Sequence, residues 1–228
     1  MSTVAQITYA VRESISQYTD DTNISDRYIM FLFNLKRAKY LRNDLNNLQK
    51  TADLSVMQSL CLELEEVSAN ECGIEYDCGT IMRTKQKLPQ PLELHLKSAI
   101  INIKPTNRIA VPFNFVNKER AIFSKYSSFG DSIYAFLDND NYIYLVSESN
   151  AVKLIECLSV TAIFEDPLLL KDYKTCCGCE IVKQCFDSLT TPYPLQAHHI
   201  DNITEEIVKM LIRKIQIPED ENNNADDL

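Results

Sequence analysis

The stretch "SIYAFLDNDNYIYLVS", Ser132 to Ser147, decides how the middle of the chain folds. Two aromatic, β-favouring runs flank Asp138, Asn139, Asp140 and Asn141. Asn and Asp side chains hydrogen-bond to nearby backbone and tolerate left-handed conformations. Four of them between two β-forming runs predict a hairpin, and so an antiparallel sheet.

Neighbouring segments extend that sheet. "LCLELEEV" alternates, with Leu60, Leu62 and Leu64 on one side and Glu63 and Glu65 on the other. A period of two with one apolar face is the pattern of a half-buried strand. "SAIINIKP" is a further strand, and "KLIECLSVTAIFEDP" places Leu158, Val160, Ala162 and Phe164 together before Pro167 stops it. In "TIMRTKQKLPQP", an extended backbone puts Arg83, Lys85 and Lys87 on one face. Pro89 and Pro91 then end the strand or confine it to an edge. "VNKERAIFSKY" reads as a short helix.

Helical patterns lie at both ends. Ile7, Val11, Ile15 and Tyr18 recur at helical spacing over about Val4 to Tyr18. After the polar "TDDTNIS", Ser25 is a good N-cap and Asp26 suits the positive end of a helix dipole. That second helix is expected over about Asp26 to Leu48, with Phe31, Leu35, Ala38, Leu41 (or Arg42), Leu45 and Leu48 as a seam on one side. A closing helix is expected from about Leu195 to Ile215, with Ile200, Ile203, Ile207 and Met210 or Leu211 as its buried stripe.

The expected architecture is therefore α+β. A helical bundle, the N-terminal helix pair with the C-terminal helix, carries an inserted, mainly antiparallel β domain. The boundaries read as an N-terminal helical part over 1–56, a β-rich insertion over 57–166, a C-terminal helical part over 167–217 and a disordered acidic tail over 218–228.

The formal charge is −9, and "PEDENNNADDL" supplies −5 of it. A body near −4 lacks the basic footprint of a general nucleic-acid binder. No basic end followed by an apolar run opens the chain, so no secretory signal is expected. No apolar stretch approaches the ~18 residues that would span a bilayer. Eight cysteines in such a chain are expected to be reduced thiols, with a disulfide framework the lesser reading.

Chemistry would have its best chance in "KTCCGCEIVKQC", read as a loop. Cys176 and Cys179 have C-x-x-C spacing, and Cys185 with His198 or His199 would complete a tetrahedral zinc set. The second close pair that usually accompanies it is missing, so structural or surface thiols are the bland alternative. Joined to Arg83, Lys85 and Lys87, the loop makes a zinc-dependent, nucleic-acid-contacting module the alternative function. No G-x-S-x-G, H-E-x-x-H or P-loop pattern occurs, so neither enzyme activity nor a cofactor is expected. Lys36, Arg37, Lys39 and Arg42 crowd the second helix, and the default reading of such a group is a solvated face.

Several segments in order carry a family resemblance: "ISDRYIMFLFNLKRAKYLRNDLN", "RTKQKLPQPLELHLKSAI", "VPFNFVNKERAIF", "SIYAFLDNDNYIYLVS" and "FEDP". From about Ile24 to Pro194 the chain resembles the head–tail connector (ring) proteins of crAss-like podoviruses, tailed phages of gut Bacteroidetes. The resemblance implies a structural virion protein, assembled in the host cytoplasm. It implies a homo-oligomeric ring of about twelve copies, whose cyclic closure needs two different faces of one subunit. The partners implied are the portal protein, other tail rings and, in transit, the genomic DNA. A ring at another level of the tail is the near alternative. Candidate interface or DNA-facing residues are Lys36, Arg37, Arg42, Arg83, Lys85 and Lys87.

Overall fold

The hairpin forms where the sequence places it. In the computed structural model, β5 (Tyr134–Leu137) and β6 (Ile143–Val146) pair antiparallel, with Ala135 opposite Leu145 and Phe136 opposite Tyr144. The polar turn closes on itself. The Asp138 N–H donates to the Tyr142 carbonyl at 3.1 Å, and the Asp140 carboxylate accepts from the Tyr142 N–H at 3.0 Å. Asn141 takes a φ of 64°, a left-handed conformation that asparagine tolerates better than most residues.

The structure describes residues 2–18, 24–47, 52–69, 80–95, 97–106, 112–123, 132–147, 150–177, 180–183 and 187–216. The acidic tail lies outside them. The chain divides into two compact units, Met1–Leu41 with Asp187–Leu228, and Arg42–Phe186. The fold is α+β, and its sheet is mostly antiparallel.

The second unit is built on β1 (Gln58–Ser68), which is long enough to serve two neighbours. Its first half pairs with β7 (Cys157–Ala162) and its second half with β2 (Thr80–Thr84), both antiparallel. β3 (Ile100–Pro105) extends the sheet beyond β7, and β6 and β5 extend it beyond β2. The two-residue β4 (Asn114–Phe115) ends it with a parallel pairing to β5.

On one face, Leu60, Leu62, Leu64, Leu145, Leu158, Val160 and Phe164 form the main core. On the other, Ile81, Phe136, Tyr144 and Val146 pack with Ala121 of α3 (Lys118–Phe123). The sheet is thus buried on both sides around β6, all four of whose residues are buried. That accounts for its unbroken apolar sequence, because a strand covered on both faces has no use for alternation.

The cysteine stretch is a correction to the loop reading. β8 (Lys174–Cys177) and β9 (Glu180–Lys183) pair antiparallel, and Lys174 of β8 bridges to Cys61 of β1. Thr175, Ile181 and Val182 supply β-branched residues on the two strands, which the eye passes over beside four cysteines.

The first unit contains α1 (Val4–Ser16), most of α2 (Asp26–Leu45) and α4 (Ala197–Gln216). Thr3 caps α1 through a reciprocal capping box with Gln6. The Ser25 hydroxyl accepts from the Tyr28 N–H at 3.2 Å, as expected of its N-cap. Ile7, Val11 and Ile15 are buried on α1, and Ile200, Ile203, Ile207 and Leu211 on α4.

α2 differs from expectation. It ends at Leu45 and buries Ala38, Leu41 and Leu45 as expected, together with Ile29, Met30, Leu32 and Phe33, whereas Phe31 and Leu35 stand 61% and 58% exposed, and Leu48 lies outside the described residues. The segment "YIMFLF" is apolar on every side, so periodicity could not choose its face.

Burial separates two phenylalanines sharply. Phe136 is fully buried and stacks on Tyr144 with ring centroids 5.3 Å apart. Phe136→Ala should lower unfolding stability in urea by about 3–5 kcal/mol. Phe31→Ala should stay within about 0.5 kcal/mol of the parent chain.

Candidate functional site

In the β unit the predicted basic stripe is a ladder of cation–carboxylate pairs. Glu63 and Glu65 project from β1 opposite the basic residues at the end of β2. Arg83 reaches Glu65 at 2.5 Å, and Lys85, just past the strand, reaches Glu63 at 3.2 Å. Lys153 meets Glu66 at 2.6 Å, and the Glu66 carboxyl is held below its usual range, chiefly by the Lys153 hydrogen bond. The Arg83 guanidinium stands 4.4 Å from the centre of the Tyr142 ring, and the Lys87 ammonium 5.6 Å from it. Such cation–aromatic contacts favour the charged heads at that ring. Arg42 pairs with Glu165 at 2.5 Å.

Next to the hairpin turn, Lys118 pairs with Asp138 at 2.8 Å. Burial pushes the Asp138 carboxyl up, but hydrogen bonds from Lys118 and from the Asn139 N–H outweigh it and hold it low.

In the helical unit, Glu206 of α4 gathers two side chains of α2. Lys36 Nζ lies 2.8 Å from Glu206 Oε2, and the Tyr40 hydroxyl donates to Oε1 at 2.5 Å. The Lys36 bond, with help from Tyr40, lowers the Glu206 pKa. In return, the bond to Glu206 raises that of Tyr40.

Arg37 is fully buried. Its Nε donates to the Pro194 carbonyl at 3.1 Å, and its guanidinium stands 5.9 Å from the Tyr193 ring. Tyr193 in turn packs edge-on against Phe33 and donates to Asn34 Oδ1 at 2.6 Å. One member of the apparent basic cluster is therefore a core residue that ties α2 to the segment before α4.

His198 is exposed at the start of α4 and His199 is buried beside Tyr40. Side chains of Cys176, Cys179 and Cys185 lie outside the described residues. Among the described residues no three His, Cys, Asp or Glu side chains gather as a metal site. Cys61 is disulfide-bonded, which corrects the expectation of a reduced thiol at that position.

Two features escaped sequence reading. The first is the exposed row on α2 made by Phe31 and Leu35. The second is a groove of about 500 Å³ between α1 and α4, floored by Ile7, Val208 and Ile212. The first had a trace in the sequence, since α2 has more large apolar residues than one helical face can bury.

These features are surfaces and scaffolds, and the comparisons with known proteins agree. Residues 6–227 match the family model described as phage tail ring protein 2. The chain belongs to this family of crAss-like phage ring proteins. Ring protein 2 of Bacteroides phage crAss001 is similar, at 24% identity over 232 aligned positions covering 99% of this chain and 97% of that protein. Membership gives the chain a structural role in the tail of the virion.

The Glu206 centre sets a pH dependence. A carboxyl with a lowered folded pKa stabilises the fold above its ordinary range, and that contribution is lost as pH falls through the folded value. Tyr40 acts in the opposite direction: its contribution is full below pH 10.0 and fades as pH rises through its raised value. Thermal unfolding followed from pH 3 to 11 should show both limbs. Glu206→Gln should flatten both, because it removes the titrating carboxyl and the anionic partner of Tyr40.

Proposed function

We propose that the chain is a non-catalytic subunit of a closed ring of about twelve copies, joining the portal and capsid to the tail around the DNA channel. The observation that carries this reading is the family match, which runs through both compact units rather than through one. The electrostatics agree. Arg42, Arg83 and Lys85 each have a carboxylate partner, and so does Lys36. DNA affinity grows with the number of phosphates neutralised by cations that are available to them. A body of net negative charge in which Lys36, Arg42, Arg83 and Lys85 are already paired lets a genome pass without holding it. Lys87, exposed beside Tyr142, is the candidate for brief phosphate contact.

Purified virions imaged by cryo-EM provide the test. A ring of this chain should appear at the portal–tail junction with cyclic symmetry. Density for the chain at another level of the tail would assign it to a different ring. Its absence from mass spectra of purified particles would defeat the reading.

A further inference from the structure

A closed ring requires that one face of each subunit meet a different face of the next. The helical unit offers two such faces, and both are unusual. On α2, Phe31 and Leu35 are exposed, and Lys39 continues their row one turn further on. Residues at these spacings share one side of a helix. Tyr28 stands on the same row, 37% exposed. Between α1 and α4 lies the groove, lined by Ile7, Val208 and Ile212, by Asp201 and by the ion pair of Glu205 with Lys209.

We propose that the Phe31–Leu35–Lys39 row of one copy seats in the α1/α4 groove of the next copy around the ring. This rests on the ring reading above and says which surfaces close it. Three observations favour the second copy as occupant.

The lengths agree. At a rise of about 1.5 Å per residue the row from Tyr28 to Lys39 spans about 17 Å, and the groove wall from Ile200 to Ile212 about 18 Å.

The charges agree as well. Lys39 at one end of the apolar row meets Asp201 near one end of the groove, beside the Glu205–Lys209 ion pair, when the neighbouring α2 lies antiparallel to α4. The apolar residues then fall towards Val208 and Ile212.

The geometry also keeps the two faces apart. α4 turns His199 and Glu206 towards α2. Asp201 and Val208 each follow one of these by two positions, about 200° further round the helix. The groove therefore opens on the side of α4 away from its own α2, so a subunit cannot fill its own groove with its own row. Such an apolar row beside a charged contact is the usual make-up of an interface centre and its rim.

The test uses purified virions treated with a carbodiimide, which joins an amine to a carboxylate without a spacer. The expected product is a peptide linking Lys39 to Asp201, a pair on opposite sides of α4 within one chain. Phe31→Asp, which is exposed and should leave the thermal unfolding of the purified chain unchanged, should cut its copies per virion by about tenfold or more. Lys39→Glu should do the same, and pairing it with Asp201→Lys should restore incorporation. Failure to find the linked peptide, or full incorporation of Phe31→Asp, overturns this docking while leaving the ring intact. Absence of the parent chain from virions would instead remove the ring reading, and the docking with it.

Discussion

Much of the β unit depends on one strand serving two neighbours. β1 pairs with β7 through its first half and with β2 through its second. The two pairings use adjacent lengths of one backbone, so both inherit the same choice of which β1 side chains face the core. A slip of one residue would turn Leu60, Leu62 and Leu64 out of the core and bring Glu63 and Glu65 in. Burying those carboxylates without partners is too costly to compete. The same alternation that seats the leucines also presents the glutamates to Arg83 and Lys85, so core and charge ladder follow from a single register.

The helical unit has a different kind of anchor. Glu206 collects a lysine and a tyrosine from α2, and buried Arg37 reaches the backbone just before α4. A guanidinium taken out of water needs hydrogen-bonding and favourable electrostatic surroundings, which the Pro194 carbonyl and the Tyr193 ring help to supply. These polar contacts fix the rotation of α2 about its axis. Once that rotation is set, Phe31 and Leu35 have nowhere to go but outward. The exposed row is thus a consequence of the polar anchor, and a ring subunit can use what a monomer would have to hide.

Legibility in the sequence followed physical signal strength. The hairpin at 132–147 was readable because turn chemistry and β propensity point the same way. The stripe of α4 was readable because its isoleucines recur on one face amid polar residues. α2 was readable as a helix but not in orientation, since apolar residues surround its first half. The basic cluster at 36–42 looked uniform, yet its members divide into the buried Arg37, the ion-paired Lys36 and Arg42, and the exposed Lys39. The cysteine stretch drew attention to its thiols, while its backbone belongs to a strand pair.

The sequence by itself determined the main helices, the hairpin, most of the strands and the family, because these depend on local propensity, short-range periodicity and ordered segments. Only the tertiary structure decided which side of α2 is hidden, where Arg37 lies, and that α1 and α4 leave a groove. Those outcomes depend on residues far apart in the chain, such as Lys36 with Glu206 and Arg37 with Pro194. Contacts of that range leave no period in the sequence, because the energy that sets them belongs to pairs the chain brings together only on folding.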